Sequence, residues 1–365
     1  MSIWSSVGKA IAIPSFVLLA SSAMFAVDVT GSQQTPARTS NPLDMPSRMS
    51  RLAAHGALLD IAQTNGRLIA VGERGHVLLS DDGGANWTQA AMPVSVTLTA
   101  VHFADRQTGW AVGHSGVVLR TEDGGSHWTR QTDGRALAAA LADALHAAQA
   151  AGKSALVNKL QRFIDEGPDK PLLDVLFLDT RRGFAVGAYG LMLATDDGGE
   201  HWRVACELLD DEEDRHIYVI RKLGDTLLLA GEQGLLYRST DGGNSFARLE
   251  SPAEGSWFGL VGTSDELLLL GLRGALYRST DGGGHWHRLP VDTKYSFVAG
   301  LALGVGKGYL LADDGGGIWH LAGGTTAPRR LDSSVRFPLA SLARAADGAV
   351  VASGLLGALR IAPGL

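Results

Sequence analysis

Five times along this chain an octapeptide of one pattern recurs: SDDGGANW (80–87), TEDGGSHW (121–128), TDDGGEHW (195–202), STDGGNSF (239–246) and STDGGGHW (279–286). A fixed repeat overrides any domain count taken from length, because each unit must bury its apolar face against its neighbours. Upstream of each copy stands a second signature, two glycines three apart followed by an apolar run. It reads GERGHVLLS from Gly72, GHSGVVLRT from Gly113, GAYGLMLAT from Gly187, GEQGLLYRS from Gly231 and GLRGALYRS from Gly271. Two degenerate units follow, DDGGGIWHL from Asp313 and GLLGALRIA from Gly354. The seven units are spaced by 41, 74, 44, 40, 42 and 41 residues, so one gap alone is abnormal.

Within a unit the apolar runs have strand length and are bounded by turn residues, as in LTAVHF, TGWAVG, GVVLRT and HWTRQ of the second. Four short antiparallel strands per 40-odd residues is the period of a β-propeller blade. No 3.6-residue periodicity runs through the units, which excludes a helical solenoid. The second strands (RLIAVG, GFAVG, TLLLAG, ELLLLG) are almost continuously apolar, as expected where both sheet faces are covered. Composition agrees: apolar residues make up 45% of the chain, and 47 glycines against 12 prolines suit many tight turns. The expected fold is all-β, a seven-bladed propeller over 47–365. The seventh unit has only three candidate strands, so residues 47–54 (SRMSRLAA) are expected to supply its fourth and close the ring.

The octapeptide fits Ser/Thr-x-Asp-x-Gly-x-x-Trp/Phe, the Asp-box. Its aspartate accepts backbone N–H groups inside a turn, glycine supplies positive φ, and the aromatic ring covers the hairpin. A catalytic group needs no five equivalent copies, whereas a structural turn does. Asp82 with Trp87, Asp123 with Trp128, Asp197 with Trp202, Asp241 with Phe246 and Asp281 with Trp286 are therefore assigned a structural role. Calcium would require a ladder of alternating oxygen ligands that this turn lacks. His102, His114, His127, His201, His285 and His287 follow repeat positions without metal-ligand spacing. No metal and no cofactor is expected.

Asp-box propellers include sialidases, sortilin-type receptors, glucanases and a seven-bladed family of photosystem II stability and assembly factors. The unit LTAVHFADRQTGWAVGHSGVVLRTEDGGSHW resembles that last family, well over 55–290 and weakly over 296–365. The resemblance implies a non-catalytic, exported scaffold that binds a protein partner, an assembly or accessory factor for a membrane complex or transporter. The helical insertion described below departs from the basic repeat. The alternative is a carbohydrate-active or carbohydrate-binding propeller. Sialidase kinship would imply an arginine triad, but residues 48–79 offer only Arg48, Arg51, Arg67 and Arg74 in other contexts, and VRFP (335–338) lies in the wrong blade. No pattern singles out the carboxylate pair of a glycosidase, so no enzymatic activity is expected. The net charge of −6 gives no basic surface for nucleic acid.

Residues 1–26 read as a secretory signal, with Lys9 before AIAIPSFVLLASSAMFA and cleavage after Ala23 or Ala26. An uncleaved anchor is the alternative; no cysteine follows the run, which speaks against a lipoprotein. Residues 27–46 read as a disordered leader. The expected location is the periplasm or an equivalent lumen.

In a four-stranded blade, turns alternate between the two faces of the disc. All Asp-boxes fall on one face, and the Gly-x-x-Gly turns on the other with the blade-to-blade connections. Scaffold turns whose inner residues vary are where recognition is placed. The candidate partner-binding rim is Arg74, His114, Tyr189, Gln233, Arg273 and Asp314. Two further features belong to that face. Residues 134–167, inside the abnormal gap, are alanine- and leucine-rich and read as a helical hairpin broken at Gly152, with Ser154 capping its second helix. It is either a lid or docking arm over the central funnel or an insertion folded onto the blade rims. The acidic run Asp210–Asp214 is a solvated loop or a partner for Lys153, Lys159, Arg162 or Lys170 of that hairpin.

Overall fold

A computed structural model describes residues 41–210, 213–331 and 335–361; the signal region and residues 27–40 of the leader lie outside these. Seven antiparallel sheets follow one another along the chain, six of four strands and a last one of three. Blade two shows the plan: an inner strand Leu98–Phe103, then Gly109–Gly113, Val118–Thr121 and an outer strand Thr129–Thr132. The second strand of this blade is buried at every residue, because its sheet is covered on both faces. Inner strands line a central channel of about 450 Å³.

Blade seven departs from the expected closure. Among the described residues it has three strands, Leu339–Arg344, Val350–Gly354 and Gly357–Ile361. The segment before blade one adds no fourth strand. Residues 41–55 instead form a strap around the outside of the ring. Leu43 is buried against blades one and two, and the Ser47 N–H donates to Met92 O (3.0 Å). The Ser50 N–H donates to Gln89 Oε1 (2.8 Å), and the strap ends at blade seven as a 3₁₀ turn, Ala53–His55. There the backbone is so close that a Cβ on Gly357 would lie 2.0 Å from Ala54 O. The segment reaches the predicted blade, but its hydrogen bonds are spent crossing blade one, and what arrives is a turn. Residues 41–46, read from sequence as disordered leader, belong to this strap: Asp44 pairs with Arg135 (2.8 Å) and Leu43 O accepts Arg130 (2.6 Å).

The Asp-boxes explain how blades grip one another. In blade two Asp123 Oδ1 accepts Ser126 N (3.0 Å) and His127 N (2.9 Å), and Thr121 Oγ1 donates to the same oxygen while accepting Gly125 N (3.0 Å). The two glycines of each box sit at φ of 69–79° and 87–90°, a region that strains other side chains. The box carbonyl that faces the preceding blade is taken by that blade. Arg67 donates to Gly124 O (3.2 Å), Arg182 to Gly242 O (3.1 Å) and Arg238 to Gly282 O (3.1 Å). Gln131 and Trp110 share Gly198 O, Arg360 holds Gly83 O across the seam, and Arg278 reaches Thr325 O (2.8 Å) in blade six. Six of the seven junctions are riveted in this way, the seam between blades seven and one among them; between blades six and seven Arg344 donates back to Leu303 O (3.0 Å).

The insertion is two helices, α1 (Ala138–Ala150) and α2 (Ser154–Asp165), turning at Gly152 (φ 66°). Ser154 is the first helical residue and not the cap; Lys153 holds that position without a side-chain bond. The hairpin does not lie over the funnel. Leu145, Ala148, Leu160 and Phe163 pack with Leu191, Leu193, Val204 and Cys206, on the outer strands of blade three. Blade three's outer strand is Arg203–Val204, and the hairpin covers the apolar flank formed there by Leu191, Leu193, Val204 and Cys206. Lys159 (3.2 Å) and Arg162 both hold Asp214, so the last residue of the acidic run is the hairpin's tether. Lys170 pairs instead with Glu166 (3.2 Å).

Candidate partner-binding face

The Gly-x-x-Gly signature is one structure repeated. Its first glycine meets the start of the blade's own inner strand: a Cβ on Gly72, Gly113, Gly187 or Gly231 would lie 2.0–2.2 Å from a carbonyl oxygen there. The residue before the second glycine is left-handed helical in five blades: Arg74 (φ 55°), Ser115 (58°), Tyr189 (58°), Gln233 (48°) and Arg273 (53°). A non-glycine residue in that region costs about 1–2 kcal/mol. Strain of this kind, held in place by the surrounding fold, collects where side chains must be presented. Arg74, Tyr189, Gln233 and Arg273 are exposed.

His114 and Asp314 occupy the position one residue earlier, and that position has a different job. Asp314 Oδ1 accepts Ser296 N (2.9 Å), as Glu232 accepts His216 N (3.1 Å) and Glu73 accepts Ala57 N (3.3 Å). These carboxylates cap the inner strands, so Asp314 is bound into its own blade. His114 is half-buried, and desolvation holds its pKa below the usual imidazole value. Ser115, absent from the candidate rim, is the residue of blade two that shares the geometry of Arg74 and Arg273.

Inside the turns lies a collar made by the second residue of each inner strand: Leu59, Thr99, Leu173, Tyr218, Phe258, Val298 and Ala340. All are half-buried, and most are apolar. On one side an aromatic file leads from rim to collar. Tyr189 stands edge-on to His216 (centroids 4.8 Å), His216 to Tyr218 (5.9 Å), and Tyr218 tilts over Phe258 (5.5 Å). The Tyr189 N–H donates to His216 Nδ1 (3.0 Å), fixing the rim turn of blade three to blade four. His216, Tyr218 and Phe258 escape a reading of the Gly-x-x-Gly turns alone; their signal is the second position of every inner strand.

Below the collar two carboxylates face the channel, and both are committed to the ring. Asp60 accepts Ser341 Oγ (2.8 Å) from blade seven and Val101 N (2.9 Å) from blade two. Asp174 accepts Ile220 N (2.8 Å) and Arg221 from blade four; burial pushes its pKa up against that pairing. His102 is half-buried, and desolvation holds its pKa low, at about 4. Oxygens so occupied are not a free acid–base pair. Among the described residues no three His, Cys, Asp or Glu side chains gather in a way that could hold a metal ion.

A family model, "Photosynthesis system II assembly factor YCF48", matches residues 39–150 and 154–352. The chain belongs to this family. The curated relative "Photosystem II assembly lipoprotein Ycf48" from Synechococcus sp. (strain CC9902) is 44% identical over 77 residues, 21% of this chain and 23% of that protein. The match therefore spans under a quarter of the relative's length. Among solved structures, "YCF48 bound to D1 peptide" superposes with a TM-score of 0.63 at 15% identity, covering 91% of this chain and all (100%) of the other. YCF48 from Cyanidioschyzon merolae gives 0.62 at 16% identity over 87% and 98%. A GH74 xyloglucanase from Xanthomonas campestris gives 0.58 at 15% identity, over 85% of this chain and 52% of the enzyme. At such identities these likenesses concern the fold. No helix among the described residues is long and apolar enough to cross a membrane.

Proposed function

We propose that this protein is an exported assembly factor that grips an extended segment of a membrane-associated protein on its Gly-x-x-Gly face. The observation that carries the reading is the ring of strained, exposed turn residues around an apolar collar. On the opposite face the Asp-box turns of blades one to five are engaged in rivets between blades. Arg74 and Arg273 supply planar forks suited to a carboxylate, an acidic side chain or a chain terminus. The collar and the aromatic file supply apolar seats for neighbouring side chains. A family relative bound to a D1 peptide supports the same class of ligand. The hairpin, seated on the flank of blade three, takes no part as a lid.

The test is fluorescence anisotropy with that relative's D1 peptide as first probe, offered both as the free acid and as the amide. Arg74→Glu with Arg273→Glu should weaken binding by about tenfold or more, since two favourable contacts become repulsive. Tyr189→Ala should weaken it without changing the preference between acid and amide. Unchanged affinity in both folded variants would remove this face from consideration. Carbohydrate binding is the second reading, favoured by the aromatic file; selective retention of xyloglucan oligosaccharides that Tyr218→Ala abolishes would replace the first.

A further inference from the structure

Blade six lacks an Asp-box. In its place the chain reads LAGGTTAPRR, and beside it the hairpin between the first two strands of the blade ends in Gly304-Val305-Gly306-Lys307-Gly308. Both segments lie on the Asp-box side of the disc and touch: a Cβ on Gly323 would stand 2.4 Å from Gly306 O. Val305 at the tip is fully exposed (104%). Around it gather basic side chains. His320 Nε2 lies 3.2 Å from Lys307 O, Arg344 donates to Leu303 O (3.0 Å), and Arg329 is the cross-strand partner of His320. Arg330, next in the outer strand, lies over the Trp319 ring (5.9 Å).

The cations of this cluster lack counter-ions among the described residues. Several arginines of the other blades are matched, Arg67 with Asp81, Arg120 with Glu122, Arg182 with Asp196, Arg203 with Glu207 and Arg360 with Asp347. Exposed arginines without an ion pair among the described residues, such as Arg48, Arg51, Arg74 and Arg273, lie on the strap and on the Gly-x-x-Gly rim. Lys307, Arg329, Arg330 and Arg344 have no ion-pair partner among the described residues. In a chain of net charge −6, unneutralised cations of blade six and the edge of blade seven beside an exposed apolar tip form a local feature that overall charge does not predict.

We propose that this corner of blade six docks on the surface of an anionic phospholipid bilayer. Guanidinium and ammonium groups stay at headgroup level, where each strengthens binding until salt screens it. Val305, flanked by glycines, is the one apolar side chain placed to enter the acyl boundary, as interfacial elements do. An acidic protein is the less fitting partner: the apolar group at the tip, Val305, stands fully exposed between glycines, as an element that enters a bilayer does. Docking by this corner leaves the Gly-x-x-Gly face, on the opposite side of the disc, open to a segment emerging from the membrane. The inference stands whether or not that face binds a peptide.

The experiment is co-sedimentation of the full chain with vesicles of phosphatidylcholine alone and of phosphatidylcholine with 30 mol% phosphatidylglycerol, at low and high salt. The expected result is partitioning that requires phosphatidylglycerol and falls with salt. Lys307→Glu with Arg329→Glu should lower it about tenfold or more, and Val305→Asp should lower it at constant charge on the cations. Arg48→Glu with Arg51→Glu, an equal change of net charge on the exposed strap, should leave it near wild type. Both reversal pairs are at exposed, unpaired positions, and matching melting temperatures would show that the variants remain folded. Partitioning that ignores phosphatidylglycerol, survives Lys307→Glu with Arg329→Glu, or falls equally with the strap variant would overturn the proposal. So would a patch that binds an acidic peptide but no vesicle.

Discussion

At the scale of single residues the Asp-box aspartates are the groups whose titration the fold feels. Asp82 is held down to about 2 by the Asn86 backbone and side-chain N–H groups and by Ser80. At Asp123 burial pushes upward, but the His127 backbone N–H, its ring and Thr121 outweigh it and bring the value to about 2. A carboxylate depressed below its unfolded value of about 3.9 contributes stability that is complete above that pH and is lost as pH falls toward the folded value. The urea midpoint should therefore drop between about pH 4 and pH 2, and Asp123→Asn should make that drop shallower while leaving neutral-pH folding in place. An unchanged slope would mean the boxes are not what titrates. The left-handed turn residues give a second prediction. Gln233→Gly relieves strained backbone but frees the unfolded chain, so stability should stay level or rise by up to about 1 kcal/mol. A loss larger than that in urea unfolding would contradict a strained turn. The box pattern, its glycines and its aromatic rings were all legible in sequence. The residue before the aromatic ring was not: Asn86, His127, His201, Ser245 and His285 each reach back to the second oxygen of the box aspartate. Five side chains of three kinds, Asn, His and Ser, share one bond, and only geometry shows that they are equivalent.

Among the elements, the hairpin shows what periodicity reveals and what it withholds. Leu137, Leu141 and Leu145 mark one apolar face and Leu156, Leu160 and Phe163 a second; the structure buries Leu137, Leu145, Leu160 and Phe163 and half-buries Leu141 and Leu156. Which surface they cover depends on the apolar flank of blade three, Leu191, Leu193, Val204 and Cys206, a property of another segment of chain. The consequence for deletion follows. Residues 134 and 168 already touch, since a Cβ on Gly134 would lie 1.7 Å from Pro168 O, so a short glycine-serine bridge can replace the helices without pulling the blades. The bridge would nonetheless expose Leu191, Leu193, Val204 and Cys206. The shortened protein should melt lower and bind a hydrophobic dye, with peptide affinity at the Gly-x-x-Gly face unchanged in its folded fraction. Phe163→Ala, a milder version at a site only 1% exposed, should cost about 3–5 kcal/mol. If the bridged protein melts like the parent, the hairpin is not a cover for blade three.

The whole molecule is a ring, and a ring is as stable as its seam. The count of seven blades came from repeat spacing, but the manner of closure did not, because the fastening residues are single arginines and a strap without strand pattern. Three fastenings cross from blade seven to blade one: Arg360 on Gly83 O, Ser341 on Asp60, and a shared core in which Ala343 and Val351 pack with Leu68 and Leu78. The strap overlies them from outside, burying Leu43 near blade two and Ala53 against blade seven. A chain beginning at residue 56 keeps the three fastenings and loses the strap, so it should still close. Losing the burial of Leu43 and Ala53 should cost about 2–4 kcal/mol at the urea midpoint, while a chain beginning at residue 40 keeps both. Arg360→Ala removes a rivet at the opposite face of the seam. Because the two sites share no partner, their losses should add within about 0.5 kcal/mol. A double variant much worse than that sum would show that strap and rivet hold one cooperative joint, and equal stability of the two truncated chains would show that the strap holds nothing.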